Sequence, residues 1–514
     1  MKVPKLFVSR MNCQKASLFR TLMCGVLLVF LNTVPQLAIA NSSWLLERAS
    51  FEDKTNQLTF AQVKNQSFET FDGILSKGFS HSTYWLKLKI KGGATEPLVL
   101  RMRPTFTDEV ELFDEISNAS RRVTGELYSW KDSDYDNLSL NFRLARTSQD
   151  RYIFVRVKTN QTYTVYPEVI LEKEFLHSEK QIEFSSTFYL SLIFIVFIWL
   201  FVTWLVNRER VLGAFTVVQF VAGVHAFSLL GLARVYLDGL VSNQTLNLWT
   251  NVLVVAYIGT TYLAHYLLIS EYELKPIYNR LFRVMIFVAW ICYAIMAWGD
   301  TVLALRINLI AALLGPLLFL TSVVKGVHKS QDGISEKLPI LPLRSLRVYY
   351  VILMMALLIV ALPFLGVVQA RELSLHAVYL HALLNGFLIF GLMHYRLRMI
   401  QRNRLEMVLY DRTMAEQEKL RHQDQGKLIN MLTHEVKNSL SVLNFAVASI
   451  LKKLKKEEDQ LANSISQFQG AIDDISAVID KCVDVDRLEQ GAFHLKIVRQ
   501  DIVPIVKEVI VTRL

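Results

Sequence analysis

The chain has 514 residues, 52% of them hydrophobic, with a mean hydropathy of +0.30 and a formal net charge of +10. So apolar a composition is high for a soluble protein, and the length leaves room for several domains. The surplus positive charge lies beside apolar segments, which argues against nucleic acid as a partner.

Residues 1–40 begin with Lys2, Lys5, Arg10, Lys15 and Arg20, pass through the apolar run LMCGVLLVFL and end on the small residues of AIA. That order predicts a secretory signal peptide cleaved after Ala40. The apolar run is shorter than the ~20 residues that span a bilayer, which disfavours an uncleaved anchor. Of the four cysteines, Cys13 and Cys24 belong to this leader, Cys292 falls in an apolar span and Cys482 lies near the C-terminus. The exported part therefore keeps none, so no disulfide is expected there, and no CxxC pair offers a zinc site.

From 41 to 180 the period is two. In TYWLKLKI, Tyr84, Leu86, Leu88 and Ile90 alternate with Trp85, Lys87 and Lys89, as in a half-buried strand. Further short runs of the same kind, separated by polar or glycine-bearing breaks, predict an all-β sandwich or barrel. Trp85, Tyr163 and Tyr166 offer rings for stacking on a sugar or aromatic ligand, but filling the sandwich core is the favoured role.

Seven apolar segments follow between 187 and 395, near 187–206, 211–233, 247–269, 281–299, 302–323, 349–369 and 374–395, each about long enough to cross a bilayer. Alternate gaps and the C-terminal flank carry Arg208, Arg210, Lys275, Arg280, Arg283, Lys325, Lys329, Lys337, Arg344, Arg347, Arg396, Arg398, Arg402 and Arg404. The opposite side offers mainly Arg234 and Arg371. By the positive-inside rule the N-terminus is outside and the C-terminus cytoplasmic, which an odd number of spans requires. His225, His265, Arg306, His381 and Asn385 fall within the spans. Such residues mark functional paths or hold helices together, and the latter is expected here. With no extended polar path, a transporter is the least supported reading.

Residues 396–427 predict a charged connecting helix. Between 428 and 491, apolar residues recur three and four apart in two runs, Ile429 to Leu454 and Leu461 to Cys482, with the break KKEEDQ between them and Gly491 as a stop. This predicts an α-helical hairpin. One hairpin leaves much of its apolar stripe wet, whereas two form a dimeric four-helix bundle, so a homodimer is expected. His434 lies two residues from both Leu432 and Val436, pointing away from the seam, and Asn438 shares its face. A zinc-protease pattern is excluded because the residue four beyond the histidine is Asn. An exposed imidazole remains, either a solvated bystander or a nucleophile beside the acid Glu435.

MLTHEVKNSL resembles the phosphoacceptor box of the bacterial sensor histidine kinases. The resemblance implies His434 as the phosphorylated residue, Glu435 as its acid/base and Asn438 as an aid to phosphatase activity. It also implies a homodimer, a cytoplasmic response regulator as partner, location in the bacterial inner membrane, and ATP with Mg2+ as cofactors. Ser439 stands where such kinases usually carry Pro, which permits a straighter helix. Residues 492–514 resemble the first strand and helix of the kinase ATP-binding domain. With no asparagine box or glycine-rich lid after them, the expectation is a truncated kinase that cannot phosphorylate itself unless another chain supplies that domain. The YWLKLKI sandwich followed by seven spans resembles the seven-transmembrane receptors with diverse intracellular signalling modules. In that family the exported domain is jelly-roll-like, implying a carbohydrate-type ligand. The alternative is a non-catalytic dimeric receptor that scaffolds or regulates a partner kinase.

Overall fold

The computed structural model describes residues 44–116, 122–327, 340–368, 370, 372–454, 459–489 and 502–504. The expected signal peptide, 1–40, and nearly all of the expected start of an ATP-binding domain, 492–514, lie outside the described residues. The chain divides into two units, Met1–Met399 and Ile400–Leu514.

Among the described residues, ten strands build the first part of unit one. They are β1 (Leu45–Asp53), β2 (Glu69–Thr70), β3 (Leu75–Phe79), β4 (Thr83–Ile90), β5 (Leu98–Arg103), β6 (Glu109–Phe113), β7 (Arg122–Thr124), β8 (Leu140–Leu144), β9 (Arg151–Lys158) and β10 (Thr162–Leu171). They form a six-stranded sheet ordered β2-β1-β4-β9-β6-β7 and a four-stranded sheet ordered β3-β10-β5-β8. Tyr84, Leu86, Leu88 and Ile90 of β4 face inward, as their alternation predicts. They join Leu100, Met102, Phe142, Val165 and Val169 of the smaller sheet in one buried core. Each such aliphatic side chain contributes roughly 1.5–3 kcal/mol on burial.

The outer face of the larger sheet is covered as well. Trp85, which alternates with Lys87 and Lys89 and whose ring was expected to pack, is 1% exposed, 5.3 Å from the ring of Phe113. Phe60, on the short helix α1 (Phe60–Val63), stacks on Phe113 at 4.9 Å and meets Phe154 edge-on. A second aromatic layer thus seals this face. Tyr163 and Tyr166 are buried too, so all three rings pack rather than present stacking surfaces.

β10 runs without a linker into α2 (Glu172–Asn207), followed by α3 (Arg210–Leu229), α4 (Leu232–Tyr236), α5 (Asn243–Ile269), α6 (Pro276–Ala297), α7 (Thr301–Thr321, with a π-helical turn through Gly326) and α8 (Leu343–Phe364). Six of these, all but the short α4, are long and apolar enough to cross a membrane. Local chemistry sets their ends. The side chains of Glu209, Ser242 and Asp300 accept hydrogen bonds from the first-turn amides of α3, α5 and α7, and Pro276 opens α6. The span expected over 211–233 stops at Leu229, because Gly231 takes φ +78° and turns the chain into α4. The seventh expected span, 374–395, falls on α9 (Glu372–Leu454). Its Leu383, Ile389, Leu392 and Met393 are buried in the same cores as residues of α2 and α3.

In unit two, the remainder of α9 packs against α10 (Asp459–Glu489) through Leu440, Val447 and Ile472, flanked by Ile465 and Ile479. This is the expected helical hairpin.

Candidate functional site

Three polar constellations stand out, two in unit one and one in unit two. The first joins the sandwich to the helices. On β5 the core-facing residues alternate with Arg101 and Arg103, which turn to the outer face of the smaller sheet. There Glu168 of β10 accepts from Arg101 Nε at 2.7 Å and from Arg103 Nη2 at 2.5 Å. Arg101 Nη1 also donates to Glu179 of α2 at 3.2 Å, and Glu179 accepts from the Ser139 hydroxyl at 2.6 Å. These arginines and glutamates are almost wholly buried, so their mutual pairing offsets a large desolvation cost. The first turns of α2 are thereby fastened to the sheet.

Close by, Asn247 at the start of α5 donates through Nδ2 to Asp108 at 2.9 Å and to Glu126 at 3.1 Å. Arg234 of α4 donates to the Gly125 carbonyl at 3.0 Å. Burial and the neighbouring Asp108 carboxyl push Glu126 up to about 8, against the pull of Arg234 and the Asn247 amide. Burial raises Asp108 as well and lowers Arg234 to about 10. Hydrogen bonds from Thr105 to the Leu229 carbonyl, Ser76 to that of Pro363 and Thr162 to that of Phe364 complete the junction.

At the far end of the helices lies Arg396 of α9, counted above among the flanking basic residues but in fact buried. Its guanidinium donates to Glu209 at 2.9 and 3.3 Å, to Glu271 Oε2 at 2.7 Å, and also to Glu271 Oε1. Glu209 is the cap of α3, and Glu271 follows α5, so one side chain gathers three helices. Of the polar residues expected within spans, His265 Nδ1 meets the Tyr350 hydroxyl at 3.1 Å, and Asn385 donates to the Tyr257 hydroxyl at 3.0 Å. These two hold helices together as expected. Arg306 is exposed.

The third constellation is the histidine on the hairpin. His434, Glu435 and Asn438 are all exposed, and Asn438 Nδ2 lies 3.2 Å from His434 Nδ1. Amide nitrogen and oxygen are interchangeable in such an assignment. With the oxygen turned inward it accepts from Nδ1–H and leaves the Nε2 lone pair free toward solvent. Ser439 spends its hydroxyl on the Glu435 carbonyl at 3.0 Å, a bond that proline would not make, and the helix runs on through it. Lys437 pairs with Asp480 across the hairpin, to one side of this face. Beyond the buried contacts, Leu432, Val436, Leu443, Ile450, Phe468 and Ile475 stay exposed.

Sequence reading missed the first two constellations. Their signal is a charged or amide residue at the border of an apolar segment: Glu179, Arg234, Asn247, Arg396. Its burial depends on partners far away in sequence.

The sandwich has a recognisable family. Residues 47–170 match the family model 7TMR-DISM extracellular 2. That range begins within β1 and ends within β10, so the match covers nearly the whole sandwich and stops where the helices begin. No curated protein matches the chain. A 7TMR-DISM extracellular domain followed by six apolar helices is the make-up of a multi-pass membrane sensor receptor.

Proposed function

We propose that the chain is a sensor histidine kinase of a two-component system, seated in the bacterial inner membrane as a homodimer. The 7TMR-DISM extracellular domain meets a small extracytoplasmic ligand, and seven spans, with α9 as the seventh, carry the signal to a cytoplasmic hairpin. The basic residues gathered at alternate gaps and on the C-terminal flank support an outside N-terminus and an inside C-terminus. A second copy covers the exposed stripe on the hairpin.

The observation that carries this reading is the exposed His434 imidazole held by Asn438 on a hairpin with an unfilled apolar stripe. ATP with Mg2+ donates the phosphoryl group. His434 Nε2 attacks the γ-phosphorus, the bond to ADP breaks, and the Nδ1 proton leaves to Glu435. A response regulator then takes the group, and Asn438 positions water for the reverse hydrolysis.

The test is phosphorylation in trans. A second sensor kinase of this type, mixed with the purified chain and labelled ATP, should place acid-labile, alkali-stable phosphate on it, and His434→Gln should abolish the label. A receptor that only scaffolds a partner kinase would take up none.

A further inference from the structure

Between the sandwich and the helices lies a cavity of about 240 Å3. Its walls are mostly apolar, supplied by α3, α5, α7 and α8 and roofed by Phe79 and Phe106 of the sandwich. Polar groups converge at one part of the wall: His225 of α3, Tyr257 of α5, and His381 with Asn385 of α9. Tyr257 and Asn385 bond each other, and the His225 ring stacks parallel to Tyr257 at 6.4 Å. His381 lines the cavity too. Its Nε2 is closed off from solvent and has no hydrogen-bond partner among the described residues. An unmade hydrogen bond of this kind is costly unless something supplies it.

We propose that this cavity is a binding site for an uncharged, largely apolar small molecule with one hydrogen-bonding end, such as a phenol or a medium-chain alcohol. Size sets the first limit: a cavity of roughly 150 Å3 holds benzene, so this one takes a two-ring compound or its aliphatic equivalent. Charge sets the second. Among the described lining residues there is no Asp, Glu, Lys or Arg, so an ionic ligand would enter without a counter-charge from them. Specificity follows from the third: His381 Nε2 reads the ligand's hydroxyl or carbonyl, with Asn385 and Tyr257 beside it. The site also has a route to the extracellular domain. Asn251, in the cavity wall, donates to Asn247 at 3.1 Å, and Asn247 holds Asp108 and Glu126 of the sandwich. The proposal concerns the receptor part alone and stands whether or not His434 carries phosphate.

The experiment uses the full chain in lipid nanodiscs and 2-naphthol, a neutral fluorescent phenol of the right size. Saturable binding is expected above the partitioning seen with empty nanodiscs. Leu357→Trp, which fills the cavity, should abolish it. His381→Leu should weaken it about tenfold, the worth of one hydrogen bond, and 2-methylnaphthalene, which lacks the hydroxyl, should show the same loss with the unaltered chain. Should Leu357→Trp fail to unfold cooperatively, Ala312→Phe takes its place, and the two-probe comparison needs no variant at all. Partitioning no greater than in empty nanodiscs, as for a cavity holding only water or lipid tails, overturns the proposal. So does binding that is equal in the filled variants, or equal for both probes with and without His381.

Discussion

At the scale of single residues, burial and partners separate side chains that look alike in the sequence. Arg396 and Arg402 are six residues apart in one helix. Arg402 pairs in solvent with Glu406 four residues on, where water and salt screen the bridge to little effect. Arg396 is fully buried between Glu209 and Glu271. Replacing it leaves two carboxylates facing each other in a largely closed site. Arg396→Met should therefore cost about 3 kcal/mol, read as a lowered thermal unfolding midpoint of the purified chain, while Arg402→Met should change it little. Asn438 makes a different prediction. Its amide sits 3.2 Å from His434, close enough to hold ring and water in place. Asn438→Ala should leave His434 able to accept phosphate but slow phosphatase action on the response regulator about a hundredfold, measured as decay of label on that partner.

Among the elements, the hairpin and the sandwich were the most legible in the sequence. A period of two gave β4 with its inward residues correct, because side-chain alternation is fixed by strand geometry. Trp85 packs, as the favoured reading of its ring had it, but the layer it joins could not be read, because Phe60, Phe113 and Phe154 come from three separate segments. The three-and-four spacing gave α10 and the end of α9, but not which apolar positions pack within the chain. Leu440, Val447 and Ile472 do, while Leu432 and Val436 remain open. The inner positions should decide hairpin stability. Ile472→Ala is expected to cost about 2–5 kcal/mol, whereas the exposed Lys437–Asp480 pair should yield under about 1 kcal/mol in a double-mutant cycle. Urea titration of the helical signal from unit two distinguishes these. At the other end of the chain, the boundary between sandwich and first helix was set too late in the sequence reading. Glu179 looks like the end of a soluble domain, yet Arg101 and Ser139 draw it onto the sheet as part of a helix that starts at Glu172.

For the whole molecule, the sensing domain and the helices of unit one meet through buried polar groups, and such a junction responds to pH. Glu126 has its folded pKa raised from 4.5 to about 8. Between those values the folded junction keeps a proton that the unfolded chain releases. Stability from this group is thus fully present below about pH 4.5 and is lost as pH rises toward 8. Thermal unfolding midpoints of the detergent-solubilised chain should fall from about pH 5 to about pH 8, and Glu126→Gln should flatten that slope. Asp108 shifts in the same direction and accounts for what slope remains. None of this was visible in the sequence, where Asp108, Glu126, Arg234 and Asn247 are scattered across the end of the sandwich and the start of the bundle. The order of the parts was visible: an exported β domain, apolar helices, then a helical hairpin.

Phosphate on His434 is the step on which signalling through this chain would depend. The direct measurement is mass spectrometry, under neutral conditions that spare phosphoramidates, on membranes from bacteria producing the full chain beside a second sensor kinase of the same type. The expected result is a phosphohistidine on the peptide carrying His434 and none at the neighbouring exposed His422. Its absence from that peptide, while the companion kinase is itself phosphorylated, would contradict the account.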